Sequence, residues 1–248
     1  MRIVIDLQGA QTSSALRGIG RYTTELVKAI LRQNRKHDVI VVLSGLLPDI
    51  NDRIHEMLEG LLPPGNIVVW EGVGPAFYGR EADTWRREAS AQVREAFLAS
   101  LSPDCVLVTS LFEGFLENAV GTISSFPLRV PTAVILYDLI PFIYPDLYLG
   151  DERTQKWYAD KIENLRRADL WLAISESARR EAIDRLDLPK GRVHTIYTAA
   201  DQTFRPVEIP PAQAEVLLRK FNINRPFLLT TGGSEPRKNL ERLIDAFG

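Results

Sequence analysis

Short runs of apolar, mostly β-branched residues recur along this chain, and stretches with helical spacing lie between most of them. The first run, "RIVIDL" at residues 2–7, shows no alternation of polar and apolar positions, the mark of a strand buried on both faces. Similar runs stand at 39–43, 67–70, 105–109, 133–136, 170–174 and 193–197. Residues 20–33 place Leu26, Val27, Ile30 and Leu31 on one helical stripe. Further helices are predicted at 52–61, 82–101, 154–168 and 176–186. Alternating β and α units predict a mostly parallel, doubly wound α/β sheet covered by helices on both faces.

The pattern breaks once. "FRPVEIPPAQ" is proline-rich, as linkers are. A helix is predicted over 212–221, then "RPFLLTTGG" restarts the alternation with a strand at 227–230 and a helix opening near Glu235 or Pro236. Three segments follow: a complete α/β domain over 1–205, a linker and helix over 206–225, and the first β-α unit of a second domain over 226–248.

Composition excludes several classes. A net charge of −2 carries no nucleic-acid footprint. The single cysteine, Cys105, sits in the apolar run "CVLV", so no disulfide closes within the chain, which suits a reducing cytoplasm. The start "MRIVIDLQGA" is too acidic for a secretory signal, and no apolar run reaches the roughly 20 residues of a membrane span. Peripheral attachment to a membrane stays open. His37, His55 and His194 lack metal-ligand spacing. There is no nucleophile elbow, no P-loop and no Asp-x-Asp pair.

Candidate site residues cluster where strands end. Gly18 and Gly20 precede the first long helix, where glycines permit close backbone approach and helix N–H groups attract anions; a tight turn explains them equally well. Thr23 replaces the third glycine of a dinucleotide fingerprint, which disfavours a dehydrogenase-type binder. Tyr137 and Asp138 follow the strand at 133–136, at the sheet edge where open α/β folds bind ligands. Asp138 is suited to orient a sugar hydroxyl or to cap its own turn. Ser175 either caps a helix or presents that helix end to a cleft. Glu113, in "TSLFEGF", also follows a strand and is open to the same two readings. Lys238 and Arg237 open the last predicted helix beside Gly232 and Gly233, a place suited to a phosphate; for Arg237 a solvated first-turn side chain is the alternative.

Four segments in order, "RGIGRYTTEL", "YDLIPFIYPD", "ISESARRE" and "TGGSEPRKNLERLIDAF", resemble the family-4 retaining glycosyltransferases, and most of all those that build bacterial surface polysaccharides, mannosyl- and rhamnosyltransferases among them. A fifth, "IYTAADQTFRP", is similar to the family's Asn-Gly-Val-Asp stretch, with Thr198, Ala199 and Ala200 in place of the first three residues. The resemblance implies a GT-B fold of two Rossmann-like domains, of which this chain holds the N-terminal half and the beginning of the second, truncated domain. It implies transfer of a hexose, with retention, from a nucleotide sugar such as GDP-mannose to a glycan or lipid-linked acceptor, in the cytoplasm or at the inner face of the membrane.

The same resemblance implies that no cofactor and no metal is required. It makes Asp138 and Tyr137 catalytic, Gly18, Gly20, Ser175, Arg237 and Lys238 donor- or phosphate-binding, and Glu113 and Arg21 acceptor-binding. Tyr137 stands where many relatives have a histidine that touches the transferred sugar, and Gly233 or Ser234 where an arginine is frequent. The family's Glu-x7-Glu motif has no match: the eighth residue after Glu235 is Leu243, and after Glu241 the chain has ended. With the donor wall incomplete, the chain alone is expected to be inactive. A non-catalytic acceptor-binding or subunit-pairing module is the alternative.

Overall fold

The computed structural model of the chain describes residues 1–124, 129–200, 204–233 and 238–247. The chain divides into two units, Met1–Ala200 and Asp201–Gly248.

Among the described residues of the first unit, seven strands form one sheet. They are β1 (Arg2–Asp6), β2 (Asp38–Ser44), β3 (Ile67–Trp70), β4 (Cys105–Val108), β5 (Thr132–Leu136), β6 (Leu170–Ala173) and β7 (Val193–Thr195). Their spatial order is β3-β2-β1-β4-β5-β6-β7, and every neighbouring pair is parallel. This is the Rossmann-like, doubly wound arrangement expected from the alternation. The helices of this unit are α1 (Gly18–Gln33), α2 (Asn51–Leu58), α3 (Thr84–Ser100), α4 (Ile140–Ile143), α5 (Pro145–Tyr148), α6 (Glu152–Arg166) and α7 (Glu176–Leu186). The pair α4 and α5 lies in a stretch too rich in proline to read as helix. Pro141 and Pro145 both fall in a first turn, where the missing N–H costs nothing.

Successive strand residues point to opposite faces, so two cores form. Val4, Val42, Val106 and Val134 pack under α3, α6 and α7 through Leu98, Leu165 and Ala182. Ile5, Val41, Leu107 and Ile135 pack under α1 and α2 through Val27, Leu31 and Leu58. Both faces being covered explains why the strands read as unbroken apolar runs.

The chain winds outward from β1 to β3, then returns to build β4 beside β1. The carboxyl ends of β1 and β4 therefore diverge into a crevice, the place where such sheets bind ligands. The connection from β4 to β5, residues 109–131, contains no helix among its described residues. Its backbone polar groups are satisfied from outside. The Gln8 side chain donates to Val120 O and accepts from Val120 N, both at 2.9 Å. Lys161 Nζ donates to Gly121 O at 3.0 Å, Arg94 Nη1 donates to Thr122 O at 3.0 Å, and Asn164 Oδ1 accepts from Ile123 N at 2.9 Å. Gly114, at φ 93°, turns the segment so closely that a Cβ there would lie 2.0 Å from Ala119 O.

The second unit holds α8 (Pro211–Lys220) and α9 (Leu240–Phe247). Residues 227–230, expected as a strand, lie in neither helix nor strand. The described residues of this unit offer no second strand, so β-propensity there has no ladder to join.

Asp6 ends β1 and is buried together with Arg94 of α3. Arg94 Nε donates to Asp6 Oδ2 at 2.9 Å, and Nη2 donates to the same oxygen. Removing one partner leaves a charge stranded in the core. We expect Arg94→Met to cost about 3–5 kcal/mol, and Asp6→Asn combined with Arg94→Met to cost less than Arg94→Met alone. Urea denaturation of the three proteins measures both.

Candidate functional site

The crevice is framed by three segments: residues 7–17 after β1, the start of the 109–131 connection after β4, and residues 137–148 after β5. Asp6 fixes the first of these, because its carboxylate accepts from Gln8 N at 3.2 Å and from Gln8 Nε2 at 3.1 Å. Gln11 ties the same segment to the end of β2, donating to Ser44 O at 3.0 Å and accepting from Ser44 N at 2.8 Å. Gly9 lies so close to β4 that a Cβ would sit 2.5 Å from Ser110 Cβ.

Glu113 belongs to the second of these segments. Its Oε1 accepts from Ser110 Oγ at 2.9 Å, and the hydroxyls of Thr12 and Ser14 reach it as well. Burial pushes its carboxyl above the ordinary range, while the hydroxyls oppose that shift. Glu117 nearby accepts from Ser13 N at 3.0 Å, joining the first segment to the second.

Tyr137 and Asp138 leave β5 together with different surroundings. The Tyr137 hydroxyl donates to Thr109 O at 3.0 Å and so accepts from Thr23 Oγ1 at 2.7 Å. Its ring meets Tyr22 edge-on at 5.9 Å. Burial raises its pKa well above the phenol range. Both capacities of that hydroxyl are thus committed to the fold. Asp138 is exposed; its Oδ1 accepts from Ile140 N at 3.0 Å and caps the turn, leaving Oδ2 at the surface.

Gly18 and Gly20 differ in the same way. Gly18 is exposed, with open space where a side chain would be. Gly20 is buried, and a Cβ there would lie 2.3 Å from Ala15 Cα, so its missing side chain lets α1 meet the preceding loop. The N-terminus of α1 has no side-chain cap, and Arg17 and Arg21 stand exposed beside it. Ser175 caps α7, its Oγ accepting from Ala178 N at 3.1 Å. Lys238 is exposed and precedes α9. Arg237 lies outside the described residues.

The structure also brings together residues that the sequence reading passed over. Arg94 and Lys161 are buried; Lys161 and Glu113 line a cleft of about 360 Å³ between α3, α6 and residues 113–122, and Arg94 acts on Lys161 from nearby. Burial pushes the Lys161 amine down to about 7, assisted by Arg94 and opposed by Glu113. A sequence signal existed. Lys161 continues the apolar stripe Tyr158–Ile162–Leu165, and Arg94 the stripe Ala91–Leu98. A charge on a buried stripe must have a buried partner. Among the described residues no group of three His, Cys, Asp or Glu side chains could hold a metal ion.

Residues 16–204 match the family model described as Glycosyltransferase Family 4. The chain belongs to that family. It is 32% identical over 249 residues to the serotype-specific mannosyltransferase WbdA of Escherichia coli, covering 100% of this chain and 30% of the relative. A second WbdA sequence from Escherichia coli is 30% identical over 222 residues, covering 89% of this chain and 27% of the relative. The chain thus spans about 30% of the length of these curated relatives. Among solved structures, Anabaena HepE in complex with UDP aligns with a TM-score of 0.58 at 17% identity, over 99% of this chain and 57% of that one. HepE in complex with UDP-glucose aligns with a TM-score of 0.52 at 16% identity, over 90% and 50%. These two likenesses are of fold.

Two outcomes check the local geometry. Gly20→Ala places a methyl group against the backbone of Ala15 and is expected to cost about 1–3 kcal/mol in chemical denaturation. For Lys161, the folded pKa lies below the unfolded value near 10.4, so the unfolded chain binds more protons between the two. Its contribution to stability is present above the unfolded pKa and is lost as pH falls through about 7. Relative to Lys161→Met, the wild-type protein should gain stability as pH rises from about 7 to 9.5, by on the order of a few kcal/mol. Urea midpoints across that range read the difference.

Proposed function

We propose that the chain forms the acceptor-side wall of a retaining glycosyltransferase, which moves mannose from a nucleotide sugar, GDP-mannose, to a glycan or lipid-linked acceptor in surface polysaccharide synthesis. The observation that carries this reading is the similarity to WbdA along the whole chain. The crevice supplies suitable chemistry. Asp138 offers a free carboxylate oxygen at the sheet edge for a sugar hydroxyl, and Tyr137 holds the strand end that presents it. Glu113, held by three hydroxyls, and Arg21 are assigned to the acceptor. The uncapped N-terminus of α1 with Gly18 attracts an anion, and Ser175 orders a second helix end.

Cleavage of the bond between sugar and diphosphate builds negative charge on the leaving phosphate. Fixed cations and helix N–H groups stabilise that charge as it develops. Lys238 and Arg237 are assigned that task from the donor side, and the reading requires no metal. Front-face attack, with the leaving phosphate taking the acceptor proton, retains configuration without a nucleophilic carboxylate. The reaction is assigned to the cytoplasm or to the inner membrane face, where a lipid-linked acceptor would lie. Among the described residues no helix is long and apolar enough to cross a membrane.

The test is mannosyl transfer to mannose oligosaccharides by protein carrying these residues together with a donor-binding domain. Lys238→Ala should raise the KM for GDP-mannose and lower kcat, by about 2–4 kcal/mol in kcat/KM. An effect below about threefold would remove Lys238 from the phosphate site. Preference for UDP-glucose would overturn the donor. Residues 1–248 alone should bind the oligosaccharide but turn over at least about 10³-fold more slowly.

A further inference from the structure

The cleft between α3, α6 and residues 113–122 has an asymmetry in its polar groups. Two residues that line it, Arg87 and Trp157, each carry a donor, Nη1 and Nε1, that is buried from solvent and has no hydrogen-bond partner. Arg87 lies over the Tyr78 ring at 4.3 Å and donates from Nη2 to the Thr84 hydroxyl at 3.3 Å. It makes no ion pair among the described residues. Lys161, 8% exposed, gives one hydrogen to Gly121 O and has two more. Of the four wall carboxylates three accept hydrogen bonds, while Glu88 is exposed and has no partner among the described residues. Asp160 accepts from Tyr78 at 2.6 Å, Glu163 from Arg166 at 2.9 Å, and Glu113 from Ser110 at 2.9 Å. Orphaned donors beside acceptors that are engaged at three carboxylates of four describe the complement of a ligand rich in acceptor oxygens.

The shape narrows the class. A volume of about 360 Å³ falls within the range of small-molecule sites. Trp157 and Tyr78 add aromatic surface to the same wall. We propose that this cleft binds a sugar carrying an anionic group, with Arg87, Lys161 and Trp157 Nε1 receiving the anion and the aromatic rings receiving the pyranose face. This goes beyond the transferase reading, because the ligand is held in the first unit and its binding requires no donor.

Proton linkage gives the site a signature that mere surface adsorption would lack. Arg94 and Arg87 from α3, Glu113 from the connection and Asp160 from α6 are the charged groups acting on Lys161. Burial and the two arginines discharge its amine near neutral pH, and a bound anion restores the charge. Binding therefore takes up a proton, and affinity falls as pH rises from about 6 to 8.5.

Calorimetry on the full chain tests this with glucuronate, whose carboxylate stays ionised over that range. Mannose and acetate serve as controls, and mannose 6-phosphate as a second anionic sugar. Both anionic sugars should bind at least about tenfold more tightly than mannose or acetate. Arg87→Met should lose about tenfold, and Trp157→Phe about threefold. Lys161→Met should abolish the proton uptake seen as a dependence of binding heat on buffer. Thermal melts check that each variant folds. Equal affinity for mannose would overturn the anionic assignment, and equal affinity for acetate would remove the sugar. Absence of binding to all four ligands, or unchanged binding in Arg87→Met and Lys161→Met, would overturn the proposal. A failed transfer assay with these affinities intact would instead count against the transferase reading.

Discussion

The buried pairing of Asp6 with Arg94 holds the centre of the first unit. A carboxylate at the end of the middle strand has lost its water, and a guanidinium from the crossover helix replaces it. The same carboxylate orients Gln8, and Gln8 grips the backbone of Val120. Arg94 also holds Thr122. One ion pair thus sets the direction of the chain leaving β1, the seat of α3 on the sheet and the path of the connection after β4. Such a pair adds little net stability over an apolar substitute, since desolvation offsets the attraction. Its value here is positional, because the three segments it orders frame both the crevice and the cleft.

Much of the fold could be read from the sequence, and the reason is burial on both faces. Runs such as "DVIVVLS" and "TAVIL" carry no alternation to confuse with an amphipathic element, so their number and direction followed from the pattern alone. The paired short helices at 140–148 were hidden by prolines that act as starters there rather than breakers. Residues 227–230 show the reverse case, strand-like in composition but outside any strand here. A strand needs a partner as well as a composition, and this unit provides none among its described residues.

The site was legible only in part. Residues that follow strands, Glu113, Tyr137, Asp138 and Ser175, were found because topology places strand ends at the ligand edge. Their individual duties were not legible. Tyr137 is bound on both sides by threonines far away in sequence, Ser175 caps its helix and Gly20 fits against Ala15. Asp6, Arg94 and Lys161 were overlooked because a strand-end aspartate and charges on long helices look ordinary until their partners, 88 and 40 residues away, are brought together.

The connection from β4 to β5 has a further consequence, for the order in which the molecule assembles. A crossover helix could satisfy its own backbone early, from local contacts. This segment draws its hydrogen bonds from β1's loop, α3 and α6, all distant in sequence, so it has nothing to close upon until the sheet and both helices are in place. Crevice and cleft are therefore expected to form late in folding. On that order, a chain with most of its strands and helices formed would still lack the recognition surface, and ligands would meet only molecules in which both layers have docked.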